Sequence, residues 1–142
     1  MSTDGASLIA VIDDDSPFLD LLRDLYEGEG YRVEVGNVMD GALDLLRRAP
    51  PDLMVLDLTI GAERAAGLTL LRTLRADPQF ARLPIIVASA ATDLLTTHAA
   101  EFARLNAIAL AKPFDLYHLM DLTDSLTGVR QDGRRGVVAD GV

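Results

Sequence analysis

The chain has 142 residues, of which 49% are hydrophobic and 25% charged, a size and composition typical of one compact domain with a single core. Its formal net charge of -9 argues against a nucleic-acid backbone as the main partner, because phosphate binding requires a basic face. The absence of cysteine excludes a disulfide framework and a thiolate metal site.

The N-terminal segment lacks the features of a targeting signal. It has no basic region, and its apolar run, Leu8–Ile12, is far shorter than the roughly 20 residues that span a bilayer. We therefore expect a soluble, cytoplasmic protein that does not contact a membrane.

Strand-like and helix-like segments alternate along the chain. Apolar runs predict strands at residues 8–12, 53–58, 84–89 and 107–111, and the alternating segment at residues 31–35 predicts a fifth. Helical spacing predicts five helices, which begin after Ser16, after Asn37, near residue 67, near residue 93 and after Asp115. Ser16 is the expected N-cap of the first helix, with Pro17 at its first position. Asn37 is the expected cap of the second, which carries Met39, Leu43 and Leu46.

This alternation predicts an α/β fold, a doubly wound parallel sheet with helices on both faces. In such sheets ligands bind beyond the carboxyl ends of the strands. Residues 128–142 lack periodicity and are rich in glycine and charge, so we expect a domain over residues 1–127 and a flexible tail or linker after it.

Polar residues stand at the ends of four of the five predicted strands. Asp13, Asp14 and Asp15 stand at the end of the first, Asp57 of the third, Ser89 of the fourth and Lys112 of the fifth. Carboxylates from the first and third strands would converge as hard oxygen ligands for a divalent cation, and Mg²⁺ suits such a site best. Asp57 could then act as a nucleophile toward phosphorus, provided that a metal and a cation neutralise the incoming charge.

Lys112 is the only lysine in the chain. A compact ammonium suits one phosphoryl oxygen, whereas a guanidinium presents a wide planar fork. Each residue also has a simpler interpretation, since an aspartate run can cap a helix, a serine can end a strand and Lys112 can be a surface cation. The combination at the strand ends is what indicates a phosphoryl-accepting site.

Four segments resemble the receiver domain of response regulators, the CheY-like phosphoacceptor module of two-component signalling. They are "IAVIDDDSPFLDLLRDLYEGEGYRV", "PDLMVLDL", "LPIIVASA" and "AKPF". The resemblance covers residues 7–127 and implies a (βα)5 flavodoxin-like sheet with strand order 2-1-3-4-5. It also implies a cis peptide bond between Lys112 and Pro113.

The resemblance assigns a role to each matching position. Asp57 corresponds to the phosphorylated aspartate, Ser89 to the hydroxyl residue that follows the phosphoryl group, and Lys112 to the lysine that pairs with it. Asp13 and Asp14 correspond to the acidic pair that binds Mg²⁺ together with Asp57. The remaining protein ligand is a backbone carbonyl, which we assign to Thr59.

Two positions depart from the family pattern. Gly61 stands where a proline is usual, and the loop before Gly67 is about two residues longer. Ala109 stands where an aromatic ring commonly swings inward on phosphorylation, so the relay at the surface of the fourth helix, fifth strand and fifth helix is expected to differ. This surface is also where the resemblance implies a homodimer.

The sequence predicts a phosphoacceptor domain that receives its phosphoryl group from a sensor histidine kinase or a histidine phosphotransfer protein in a Mg²⁺-dependent step. Such a domain is not an enzyme with a separate substrate. One alternative is a receiver-like binding module that acts without phosphorylation-driven switching. A second alternative, a Mg²⁺-dependent phosphatase, would need a further acid or base near Asp57, for which only Asp13, Asp14 and Asp15 are candidates.

Overall fold

A computed structural model describes residues 6–36, 41–60 and 64–128 of the chain. The strands in this part are β1 Leu8–Ile12, β2 Arg32–Gly36, β3 Leu53–Leu56, β4 Ile85–Ser89 and β5 Ala107–Ala111. The helices are α1 Ser16–Gly28, α2 Ala42–Arg48, α3 Ala66–Ala76, α4 Thr92–Thr97, α5 Ala99–Arg104 and α6 Leu116–Thr127. The predicted tail lies outside the described residues except for Gly128, which adopts a left-handed conformation at the end of α6.

The five strands form one parallel sheet in the order β2-β1-β3-β4-β5, which confirms the predicted flavodoxin-like fold. β1, β3 and β4 are buried along their whole length because helices cover both faces of the sheet. β5 is an edge strand, and its residues are only partly covered.

The alternating side chains of the central strands divide the core into two layers. Ile12, Leu56 and Val87 point to the layer that contains α2, α3 and α5. Val11, Val55 and Ala88 point to the layer that contains α1 and α6. A doubly wound sheet follows from this division, since each strand buries apolar residues on both faces.

The first helix begins differently from the prediction. Asp15, not Ser16, is the N-cap, and its carboxylate accepts a hydrogen bond from the Phe18 backbone N–H at 3.2 Å. Pro17 is accordingly the second helical residue. Serine and aspartate are both good caps, so the sequence alone does not separate these two registers.

The fourth helix was predicted to be continuous, and this prediction was wrong. It consists of α4 and α5, which are separated at His98, although neither glycine nor proline marks the break. The fifth predicted helix is therefore α6, which is capped by Asp115 as expected. Asn37 and Met39, predicted in the second helix, lie outside the described residues, and the described helix begins at Ala42.

Hydrogen bonds from two side chains, Arg75 and Tyr31, tie helices to the rest of the fold. The Arg75 guanidinium of α3 donates to the carbonyl oxygens of Leu105 at 2.6 Å, Phe80 at 2.8 Å and Asn106 at 3.4 Å. On the other face, the Tyr31 hydroxyl donates to the buried Asp124 carboxylate of α6 at 2.5 Å. No helix among the described residues is both long and apolar enough to cross a membrane.

Candidate phosphoryl-accepting site

Adjacent strands bring two aspartates to the same edge of the sheet. Ile12 of β1 pairs with Leu56 of β3, and Asp13 and Asp57 are the next residues of each strand. Their backbones continue the ladder, since the Asp57 N–H donates to the Ile12 carbonyl at 2.9 Å and the Asp13 N–H to that of Gly36 at 3.0 Å. The sheet therefore fixes the backbone positions from which both carboxylates extend.

Asp13, Asp14 and Asp57 form an acidic cluster. Asp13 and Asp57 are 2% and 6% exposed, whereas Asp14 is exposed to solvent. One carboxylate oxygen from each lies within 4.8 Å of the others, a spacing at which a single cation can contact all three. Two buried carboxylates are costly without a compensating charge, and the hard oxygen donors suit Mg²⁺.

The pKa of the Asp13 carboxyl is raised above its ordinary value. Burial is the main cause, and the nearby negative charge of Asp57 adds to it. A hydrogen bond from Lys112 acts in the opposite direction and stabilises the ionised form. The cluster thus contains a carboxylate that would gain from a bound cation.

Lys112 supplies a positive charge to this cluster, as predicted. Its Nζ lies 2.6 Å from Asp13 Oδ2 and 3.7 Å from Asp57 Oδ2, and its side chain is 17% exposed. The Lys112 N–H donates to the Ser89 carbonyl at 2.9 Å, which keeps the end of β5 against β4. The bond between Lys112 and Pro113 is cis, as the resemblance implies.

Ser89 and Thr59 lie in the segments that flank the acidic cluster. Ser89 is completely buried at the end of β4, where its Oγ accepts a hydrogen bond from the Ala91 N–H at 3.1 Å. Thr59 is half-buried two residues after Asp57, and its N–H donates to Asp57 Oδ1 at 3.3 Å. The Thr59 carbonyl remains a predicted metal ligand.

Gly67 is a structural requirement of the site that sequence reasoning did not identify. A Cβ at this position would lie 2.1 Å from the Asp57 carbonyl oxygen and 2.7 Å from Leu58 Cα. The Gly67 N–H donates to the Leu58 carbonyl at 2.8 Å, so the start of α3 lies directly against the backbone that carries Asp57. The sequence offered one signal for this role, a glycine in a predicted helix, where glycine is intrinsically unfavourable.

Phe18 is a second residue whose place in the site was not anticipated. Its ring lies beneath the Lys112 ammonium, with Nζ 4.1 Å from the ring centroid, a contact that the sequence did not predict. Periodicity could assign Phe18 to a helix face but could not identify this partner in the loop that follows β5.

Ala109 lies on the edge strand, paired with Val87, and is exposed. A small side chain on the surface next to α5 thus occupies the position where an aromatic residue was expected. Gly61, the other departure from the family pattern, lies outside the described residues.

Comparison with known proteins identifies a family similarity. The family model described as the response regulator receiver domain matches residues 9–124. PhoB of Rhizobium meliloti, a phosphate regulon transcriptional regulatory protein, is 34% identical over 118 residues, covering 79% of this chain and 48% of that protein. The DNA-binding response regulator MtrA of Mycolicibacterium paratuberculosis is 35% identical over 85 residues, covering 60% of this chain and 36% of that protein.

The fold is similar to solved structures as well. The receiver domain of NtrX from Brucella abortus superposes with a TM-score of 0.72 at 26% identity, over 84% of this chain and 98% of that one. The match extends over nearly the whole of that single domain. By contrast, the chain covers less than half the length of the two regulators named above.

Proposed function

Because this chain belongs to the receiver domain family of response regulators in two-component systems, we propose that it is phosphorylated on Asp57. The phosphoryl donor is a phosphohistidine on a sensor histidine kinase or a histidine phosphotransfer protein. The observation that carries the proposal is the convergence of the Asp13, Asp14 and Asp57 carboxylates with the Lys112 ammonium.

The reaction transfers a phosphoryl group between two side chains. A carboxylate oxygen of Asp57 attacks phosphorus, the bond between phosphorus and the donor imidazole nitrogen breaks, and an acyl phosphate forms on Asp57. The freed imidazole keeps the electron pair of that bond and can take a proton from solvent. Lys112, which lies 3.7 Å from Asp57 Oδ2, pairs with an oxygen of the transferred group.

The acidic cluster would hold Mg²⁺ through Asp13, Asp14, Asp57 and the Thr59 carbonyl. When bound, this ion neutralises charge on the phosphoryl group and lowers the cost of bringing it to an anionic site. The hydrogen bond from the Asp13 N–H to the Gly36 carbonyl, which fixes the Asp13 backbone at the sheet edge, supports this role. The raised pKa of Asp13 reflects a buried carboxyl whose ionised form needs a positive neighbour.

Ser89 couples the modification to the surrounding segments. Its buried hydroxyl accepts a bond from Ala91 N–H, and reorientation toward a phosphoryl oxygen would break that bond at the start of α4. Transmission from there reaches the surface formed by α4, α5, β5 and α6, through which we propose homodimer or partner contacts. Since Ala109 has no ring, this transmission does not use an aromatic side chain at that position.

The same proposal covers the activity of the domain, its location and its contact with nucleic acid. The domain assists its own phosphorylation and dephosphorylation in the cytoplasm but is not an enzyme that turns over a separate substrate. PhoB and MtrA are named as transcriptional or DNA-binding regulators. We nevertheless propose no direct nucleic-acid contact for this chain, because its net charge is -9.

Acetyl phosphate offers a test that needs no cognate kinase. Incubation with acetyl phosphate and Mg²⁺ should add the mass of one phosphoryl group, while omission of Mg²⁺ or the Asp57→Asn substitution should prevent the addition. An unchanged mass of the wild-type protein would contradict the proposal. If phosphorylation occurs but leaves dimerisation and partner affinity unchanged, the binding-module alternative is favoured over a phosphorylation-driven switch.

A further inference from the structure

The Lys112 ammonium has three neighbours of different kinds. Two are carboxylates, with Asp13 Oδ2 at 2.6 Å and Asp57 Oδ2 at 3.7 Å. The third is the face of the Phe18 ring, whose centroid lies 4.1 Å from Nζ. This distance is well within the range at which an ammonium is attracted to the negative face of an aromatic ring.

Two contacts hold Phe18 in place, one made by its backbone and one by its ring. Its backbone N–H is bonded to the Asp15 carboxylate at the N-cap of α1, which fixes the residue in the first turn. Its ring meets that of Phe114 edge to face, with centroids 6.1 Å apart and planes at 88°. Phe114 follows Lys112 by two residues, so the aromatic pair joins α1 to the loop that carries the lysine.

The proposed phosphorylation of Asp57 would give the ammonium two successive positions. In the free protein Lys112 pairs mainly with Asp13, as the shorter of its two carboxylate distances shows. A cation held by Asp13 and a phosphoryl group on Asp57 would both require the ammonium to leave Asp13. An aromatic face attracts the ammonium during this exchange and offers no anionic oxygen that would compete with the phosphoryl group.

A surface groove of about 390 Å³ is lined by Phe18, Leu21, Phe114 and the lysine itself. Phe18 is half-buried, lines this groove and contacts the ammonium that also borders it. Leucine at this position would keep an apolar side chain in the first turn of α1 but would remove the aromatic face that the ammonium contacts.

We propose that Phe18 is a positioning residue for phosphoryl transfer: its ring holds the Lys112 ammonium at the mouth of the site, between Asp13 and Asp57. The catalytic part of this inference rests on the proposed phosphorylation of Asp57. Its structural part, the contact between ring and ammonium, can be tested in the unmodified protein.

The single lysine makes that contact directly observable. In the full chain labelled with ¹³C-lysine, every lysine side-chain signal belongs to Lys112. The ring should shift the Lys112 Hε resonances upfield, and Phe18→Leu should move them toward the position of a free lysine. Phe18→Tyr should keep the upfield shift, and so should Leu21→Ala, a matched control in the same groove.

Affinity for beryllofluoride with Mg²⁺ tests the consequence for the site. Phe18→Leu should bind this phosphoryl mimic about two- to fivefold more weakly, the equivalent of an exposed cation–π contact, and Phe18→Tyr should bind it like the wild type. Resonances and affinity unchanged by Phe18→Leu would overturn the inference. So would equal losses in the leucine and tyrosine variants, because they would indicate packing alone.

The two proposals fail in distinguishable ways. If the wild-type protein neither binds beryllofluoride nor accepts a phosphoryl group, the proposed function fails together with the role of Phe18 in it. The Lys112 resonances would still show whether the ring contacts the ammonium. If the wild type binds the mimic and Phe18→Leu does so equally well, only the role of Phe18 fails.

Discussion

The Lys112 ammonium lies 1.1 Å closer to Asp13 Oδ2 than to Asp57 Oδ2, at 2.6 Å against 3.7 Å. In the free protein the cation thus compensates a carboxylate of the proposed metal site more than the proposed phosphoryl acceptor. A divalent cation would compete with Lys112 for Asp13, and binding of that cation would release the ammonium toward Asp57.

Substitution Lys112→Ala should destabilise the metal-free domain and strengthen its binding of Mg²⁺. Asp13, only 2% exposed, would lose its charge partner, at a cost of about 1–3 kcal/mol in the free energy of unfolding. Urea unfolding with and without Mg²⁺, and calorimetric titration of the metal, measure the two effects. Weaker Mg²⁺ binding by Lys112→Ala than by the wild type would show that the ammonium and the metal do not compete.

Magnesium should stabilise the domain through the acidic cluster. At about one hundred times its dissociation constant, a ligand that binds only the folded state contributes about 2.7 kcal/mol. Asp14→Asn should remove most of this gain, as measured by the thermal midpoint with and without Mg²⁺. Asp15→Asn is a matched control from the same aspartate run, since asparagine also caps helices well. An equal loss in both variants would indicate a general charge effect and not ligation.

Gly67→Ala should destabilise the fold, because the new methyl group would lie 2.1 Å from the Asp57 carbonyl oxygen. Overpacking of this kind costs about 1–3 kcal/mol or more and would displace the phosphoryl acceptor. Gly28→Ala is the control: no heavy atom lies within 4 Å of its would-be Cβ at the end of α1. There alanine should raise the free energy of unfolding by up to about 1 kcal/mol. Chemical denaturation should show a lower free energy of unfolding for Gly67→Ala and a higher one for Gly28→Ala than for the wild type.

Tyr31→Phe should weaken the attachment of α6. The substitution removes the hydroxyl that donates to the buried Asp124 carboxylate, at an expected cost of about 1–3 kcal/mol. Tyr117→Phe removes the same atom from a residue of α6 that is 80% exposed and should change the free energy of unfolding by less than about 0.5 kcal/mol. Similar denaturation midpoints for the two variants would argue against a stabilising role for the buried bond.

The fold and the strand-end residues could be predicted because they follow from local patterns. Apolar runs marked four strands and an alternating segment marked β2, and their alternation with helical segments required parallel pairing. Once the strands were parallel, Asp13 and Asp57 had to reach the same edge of the sheet, and the structure places them there. Helix starts were less certain, since Asp15 and Ser16 are both suitable caps.

The contacts that were not predicted join residues far apart in the chain. Phe18 follows helical periodicity, which assigns a face but not a partner, and its contact with Lys112 depends on how α1 packs beside the loop after β5. The three carbonyl contacts of Arg75 likewise depend on the packing of α3 against the turn before β5. The break at His98 carries no glycine or proline signal, so a continuous helix was the natural prediction.

Reductive trapping of the acyl phosphate identifies the residue that accepts the phosphoryl group. The protein is treated with acetyl phosphate and Mg²⁺, reduced with borohydride and digested, and the peptides are sequenced by mass spectrometry. Phosphorylation of Asp57 predicts homoserine at position 57, dependent on Mg²⁺. Unmodified Asp57, or homoserine at position 13 or 14 instead, would contradict its assignment as the phosphoryl acceptor.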